Sequence, residues 1–324
     1  MLIVREEDFT DSMIAAWPRL LPEGALVVVN DTRVFKARLL GNRYPSGGRV
    51  ELLLLRAIDA PPLHPTRQLW NTMGRSNRPL SPGSVVQFQS MSARVVERLP
   101  AGELVVELES DEPIDTVVDR IGHVPIPPYL GRSDEPSDIE RYQTLFAQRR
   151  GSIAAPTAGL HLSNEILSEL SSRNIVLEYL TLHVGIGTFR PVVVDELDAH
   201  PMHSETFEVT EGLVAAVDAA RARRAKVIAV GTTVVRALES AAELRHLGSI
   251  RAKKGLTNLL IQPGYTFNVV DGLLTNFHMP RSTLLALVGA FAGLDRTLEA
   301  YRVALQRNYR FLSYGDAMWI PRRI

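Results

Sequence analysis

One buried-strand signature, ALVVVN (residues 25–30), is cut off from the other helix-and-strand material by the differently textured stretch 35–128. The run is β-branched and ends in turn residues, which predicts a strand followed by the loop NDTRV. From Phe35 to Pro128 come short β-rich pieces, ARLLG, RVELLLL, SVVQF, ARVVERL and ELVVELES, divided by PSGG, SPGS and LPAGE. Regular short strands with Gly and Pro punctuation predict a small antiparallel barrel or sandwich. HVPIPPYLGRSDEPSD (123–138), proline-rich and polar, marks a boundary.

Beyond it, helix-like and strand-like segments alternate. SNEILSELSSRN (163–174) has Ser163 at the N-cap position, EGLVAAVDAARARRA (211–225) and VVRALESAAELR (234–245) are helix-like, and IVLEYLTLHV and KVIAV are strand-like. Such alternation predicts an α/β class: a layered α/β domain with a mainly parallel sheet. Because residues 25–30 precede the β-rich stretch, that domain is discontinuous, 1–34 and 129–324. The inserted antiparallel β-barrel domain spans 35–128.

With 45% hydrophobic and 22% charged residues the chain can bury a real core. Lys plus Arg (36) balance Asp plus Glu (36), so any polyanion must be met by a local patch. The absence of cysteine excludes disulfides, thiolate metal sites and Cys nucleophiles. Arg5, Glu6, Glu7 and Asp8 interrupt the first apolar segment, and no apolar run approaches the ~20 residues of a bilayer span, so no membrane association and a cytoplasmic location are expected.

In open α/β sheets the ligand crevice lies beyond the carboxyl ends of the strands. Four strand ends here carry polar residues. ALVVV is followed by Asn30, Asp31, Thr32 and Arg33; LEYLTL by His183, Gly185, Gly187, Thr188 and Arg190; KVIAV by Thr232, Thr233 and Arg236; VVDGLL by Asn276 and His278. GSIAAPTAGLHLS (151–163) sheds bulk, through Thr157 and Gly159, just before His161. Either a crowded backbone turn or a ligand close to the main chain would require that. HSE (203–205) brings His203 and Glu205 together, and YRFLSYGDAMWI (309–320) sets Tyr314 and Asp316 in a turn.

GIGT (185–188) lacks the third glycine and acidic residue of a dinucleotide fingerprint, and Phe189 and Pro191 stand where its helix would begin. GTTVVR (231–236) reads as an anion or ribose site, or as a simple helix cap. The histidines have no metalloprotease-like spacing, so no metal is expected; proton transfer and hydrogen bonding suit them better, with a satisfied structural histidine the plain alternative for each.

NDTRV, RYQTLFA, GSIAAPTAGLH, LTLHVGIGTFRPV, HPMHSETFEV, VGTTVVRALES, PGYTF, VDGLLTNFHMPRSTLL and YRFLSYGDAM occur in this order. From about Ala25 to the C-terminus the chain thereby resembles the S-adenosylmethionine:tRNA ribosyltransferase-isomerase family of queuosine biosynthesis. The resemblance implies an α/β domain with an inserted β-barrel. It also implies transfer of the ribosyl unit of S-adenosylmethionine, a co-substrate and not a true cofactor, onto the aminomethyl group of 7-aminomethyl-7-deazaguanine at the tRNA wobble position. The product base carries an epoxycyclopentane, and adenine and methionine leave.

Under that resemblance the sulfonium acidifies its neighbouring C5′ protons, and His161, His183 and His203 are the candidate bases. Asp316, Glu205 or another histidine could assist adenine departure. Arg236 with Thr232 and Thr233, or Arg190, would hold the methionine carboxylate; Asn30, Asn276 and Thr188 would meet ribose hydroxyls. Arg33, Thr157, Gly159, Gly185, Gly187, His278 and Tyr314 complete the expected substrate wall. For tRNA, Arg149 and Arg150, and the cluster Arg221, Arg223 and Arg224 with Lys226, are candidate phosphate contacts, with Arg251, Lys253 and Lys254 in a further basic group. A monomer is expected. Met1–Gly24 is shorter than the usual start of the family and lacks an R-D-x-S-R element, Leu162 stands for a usual Phe, and GRSNRPL (74–80) replaces a lysine-rich stretch. A divergent S-adenosylmethionine enzyme with another acceptor, and a non-catalytic RNA-binding relative, are the rival readings.

Overall fold

A computed structural model describes residues 1–58, 64–185, 187, 194, 197–199, 202–243 and 248–321. The chain divides into two compact units: Met1–Arg33 with Tyr142–Ile324, and Val34–Arg141.

The first unit is built on a nine-stranded sheet. Its strands are β1 (Leu2–Val4), β2 (Phe9–Asp11), β3 (Leu26–Asn30), β12 (Val176–Leu182), β13 (Glu205–Val209), β14 (Val227–Val230), β15 (Lys253–Thr257), β16 (Gly272–Asn276) and β17 (Ala317–Ile320). They run in the order β15-β13-β12-β3-β14-β16-β17-β1-β2. The central strands β12, β3, β14 and β16 are mutually parallel, and β1 is parallel to β17. The pairs β15–β13, β13–β12, β16–β17 and β1–β2 are antiparallel. The sheet is therefore mixed, with a parallel centre, where the sequence suggested a mainly parallel one. The marginal strands are short (LIV, FTD, AMWI), too short to show a period of two.

All five residues of β3 are buried, as a strand covered on both faces requires. Alternation then divides them between two cores. Leu26 and Val28 join Val217, Val235, Leu238 and Phe291, whereas Val27 and Val29 join Ile166, Leu170, Trp17 and Trp319. The first core is formed with α5 (Glu211–Ala222), α6 (Thr232–Ala241), α7 (Thr283–Ala292) and α8 (Leu294–Gln306), the second with α4 (Asn164–Ser172) and the short α1 (Trp17–Leu20). Ser163 caps α4 by accepting from the Ile166 amide, as its position in the sequence suggested. Residues 258–264 (NLLIQPG) form no strand, although their apolar run resembles one.

In the second unit β5 (Arg38–Tyr44), β6 (Arg49–Ala57), β7 (Arg67–Ser76), β8 (Val85–Gln87), β9 (Ser92–Arg98) and β10 (Glu103–Glu109) close into an antiparallel barrel, ordered β10-β7-β6-β5-β8-β9. Closure leaves no open edge. Leu39, Leu52, Leu54, Val86, Val106 and Leu108 fill it, and Ile114, Val117 and Val118 of α2 (Ile114–Ile121) join this core. Strand β7 is absent from the sequence reading because RQLWNTMGRS sends polar residues inward: Gln68 and Thr72 are buried, and the Trp70 indole donates to Gln68 Oε1 at 2.9 Å. Among the described residues no helix is long and apolar enough to cross a membrane.

Candidate active site

The polar residues noted at the strand ends gather at the carboxyl edge of the parallel centre. Asn30, the last residue of β3, is buried; its Oδ1 accepts from the Leu182 amide (3.0 Å) and its Nδ2 donates to the Leu182 carbonyl (2.9 Å) and toward Thr233 Oγ1 (3.4 Å). One side chain thus ties the ends of β12 and β3 to the start of α6. Beside it Asp31 accepts from the Thr181 hydroxyl at 2.6 Å, and burial raises its pKa.

Helix α6 is buried almost all round, yet carries Arg236 and Glu239. Buried charges persist only when paired. Glu239 accepts from the amides of Asn268, Val269 and Val270 at 2.9–3.1 Å. Arg236 forms an ion pair from Nη1 to Glu205 Oε2 and donates from Nε to the Leu259 carbonyl at 3.0 Å. Glu205 Oε1 also accepts from the Gly185 amide at 2.9 Å. Among the described residues Arg236 Nη2 is buried with no hydrogen-bond partner, a cationic donor beside the 185 turn.

Toward β16, Asn276 is 2% exposed. Its Oδ1 accepts from the Thr157 hydroxyl at 3.1 Å, and its Nδ2 donates to the Leu312 carbonyl (3.2 Å) and to His161 Nε2 (3.0 Å). Burial lowers the pKa of His161 to about 4. The small residues before His161 are there largely for packing. A Cβ on Gly159 would lie 2.8 Å from Thr144 Cγ2 and 2.9 Å from Phe146 Cζ, and Ala158 Cβ lies 3.5 Å from the Cβ position of Gly231. Gly231 itself holds φ +96 as the chain enters α6. The 154–159 loop is thereby wedged against the GTT turn.

On the other side, His183 Nδ1 lies 2.7 Å from Thr32 Oγ1, and burial, with the nearby Arg149 charge, lowers its pKa. Gly151 makes room for this ring, because a Cβ there would sit 2.8 Å from the imidazole. His183 also lines a cavity of about 200 Å³ with Arg149, Arg150, Lys254, Thr206 and Glu208. From β12 to β16 is three strand spacings, about 14 Å. The histidines at the two ends therefore stand at different places along the carboxyl edge of the sheet.

His203 approaches Gly187, where a Cβ would be 3.1 Å from its ring. His278 Nε2 lies 2.9 Å from Thr275 Oγ1, and burial lowers its pKa to about 4. Tyr314 packs against Tyr142 with ring centroids 6.1 Å apart. Asp316 accepts from the Arg310 amide at 2.7 Å and acts electrostatically on His161. Arg33 is exposed. Arg221 is taken up internally by Asp271 (2.6 Å) and the Val269 carbonyl, Arg223 donates to the Gly24 carbonyl at 3.2 Å, and Arg224 has a left-handed backbone, φ 58. Thr188 and Arg190 lie outside the described residues. Sequence reasoning quoted Asp31, Thr32 and Lys254 without giving the first two a role, and it passed over Thr181; only their position at strand ends could have marked them.

Residues 1–320 match the family model described as queuosine biosynthesis protein. The likeness thus includes Met1–Gly24, which the motifs alone did not reach. An S-adenosylmethionine:tRNA ribosyltransferase-isomerase of Sorangium cellulosum is 52% identical over 319 residues, covering 93% of this chain and 85% of the relative. One from Halothermothrix orenii is 47% identical over 305 residues, covering 93% and 86%. The crystal structure of the Thermotoga maritima S-adenosylmethionine tRNA ribosyltransferase superposes with a TM-score of 0.51 at 28% identity, covering 98% of this chain and 91% of that one. The chain belongs to the queuosine-biosynthesis family of S-adenosylmethionine:tRNA ribosyltransferase-isomerases.

Proposed function

We propose that this protein transfers and isomerises the ribosyl unit of S-adenosylmethionine onto the aminomethyl group of 7-aminomethyl-7-deazaguanine in the tRNA wobble position, releasing adenine and methionine. The observation that carries the reading is the convergence of Asn30, Thr233, Arg236, Asn276 and His161 at the carboxyl ends of β3, β14 and β16. That is where an α/β sheet binds its ligand. Buried Arg236 Nη2, with the amides at the start of α6, whose N-cap is a glycine with no side chain to cap them, suits the methionine carboxylate. Asn30 is largely spent on β12, so its role is to hold the edge together.

The cavity at Arg149, Arg150 and Lys254 supports contact with tRNA phosphate. Arg221 is a structural residue, and Arg223 and Arg224 remain candidate phosphate contacts. His183 and His203 are the candidates for taking the first proton. The test is adenine release: incubation with S-adenosylmethionine should liberate adenine only when tRNA bearing the aminomethyl-deazaguanine is present. Release with a different acceptor, or tRNA binding without release, would overturn the proposal.

A further inference from the structure

Asn276 fixes the protonation of a neighbouring ring. Its two amide hydrogens go to the Leu312 carbonyl and to His161 Nε2, and its Oδ1 accepts from Thr157. The amide cannot be turned over, because Oδ1 would then face the Leu312 carbonyl oxygen with no proton between them. An amide nitrogen donates and does not accept, so Nε2 of His161 carries a lone pair, and the neutral ring holds its proton on Nδ1. An imidazolium would set two N–H groups head to head across 3.0 Å. Burial of the ring works in the same direction; of the charged groups that act on it, the Met1 ammonium opposes the cation and Asp316 favours it. Among the described residues the bond at Nε2 is the one hydrogen bond of this side chain, which is only partly buried, and Nδ1–H is left for a ligand.

Resting on the ribosyl-transfer reading above, we infer that Asn276 is a positioning residue that holds His161 as a neutral hydrogen-bond donor to S-adenosylmethionine through Nδ1–H, not as the base that removes its first proton. A ring whose lone pair is engaged by Asn276 and whose other nitrogen bears hydrogen cannot accept a proton without breaking that bond. An oriented donor that keeps its proton is instead suited to charge developing on the departing adenine. Base duty then falls to another histidine.

The tautomer is read directly by ¹⁵N NMR of the histidine-labelled protein, with the His161 signals assigned by their loss in His161→Asn. The expected wild-type pattern is Nδ1 protonated and Nε2 bare. Asn276→Asp should reverse it, because a carboxylate accepts from Nε2–H, and should raise the pKa of the ring. Turnover gives a second arm. His161→Ala should lower kcat/KM by about 10²–10³-fold, as loss of one oriented donor does. His161→Asn sets an N–H near the Nδ1 position and should recover ~10-fold or more of that loss. The acid limb of its pH profile should match the wild type, since a neutral donor contributes none. A protonated Nε2 in the wild type overturns the inference even if Asn276→Asp fails to fold, and so does a His161→Asn enzyme as slow as His161→Ala that has lost the acid limb. Wild-type protein that releases no adenine with the aminomethyl-deazaguanine tRNA would defeat the underlying reaction instead, whatever the tautomer.

Discussion

Glu205 and Arg236 face each other in an ion pair whose side chains are 5% and 8% exposed, bridging the first residue of β13 to the second turn of α6. Removing one member of a buried pair strands the other charge, so Glu205→Ala should destabilise the protein by about 3–5 kcal/mol. Glu205→Gln should cost less, because it keeps an acceptor for the Gly185 amide. Denaturant unfolding measures both; wild-type stability in Glu205→Ala would mean that the pair does not form.

Crowding, not ligand access, is the first requirement at Gly159. The Cβ of Gly159→Ala would meet Thr144 and Phe146 inside 3 Å, an overpacking expected to cost about 1–3 kcal/mol. Gly255→Ala in β15 is the control, since a Cβ there meets nothing within 4 Å. Equal melting temperatures for the two variants would refute the packing explanation.

These pairs show where the sequence is legible. Strand and helix positions follow from periodicity, and the crevice edge follows from strand ends, so Asn30, His183, Thr233, Arg236 and Asn276 could be named as a group. Their partners could not. His161 and Asn276 are 115 residues apart, and the HSE motif suggested a His203–Glu205 partnership, whereas Glu205 is spent on Arg236 and Gly185. Periodicity reports which face of an element is buried but not what lies across from it. Likewise β1, β2 and β17 escaped because three or four residues hold too few repeats, and β7 because two of its inward side chains, Gln68 and Thr72, are polar.

Acid should weaken the fold through its histidines. His161 and His278 titrate near 4 in the folded protein against about 6.5 when unfolded, so between these values the unfolded chain binds more protons. The stabilisation is complete above about pH 6.5 and is lost as pH falls through 6.5 toward 4, on the order of 1–3 kcal/mol for each group. Thermal unfolding near pH 7.5 and pH 5 should show the fall. His278→Gln, which can still bond Thr275, should flatten it, and an unchanged slope in that variant would clear His278 of the effect.

The cavity beside His183 sets three cations, Arg149, Arg150 and Lys254, against one carboxylate, and Glu208 already lies 3.1 Å from Lys254 and 4.0 Å from Arg149. The excess positive charge is local in a chain with no net charge, which is the arrangement that phosphate binding requires. Lys254→Gln should therefore weaken tRNA binding several-fold and reduce the slope of log affinity against log salt by about 0.7–0.9. Arg221→Gln is the contrasting case: with its guanidinium committed to Asp271 and two carbonyls, it should lower stability and leave the salt slope unchanged. Fluorescence anisotropy over a salt series separates them. A normal slope in Lys254→Gln would take this cavity out of the tRNA interface.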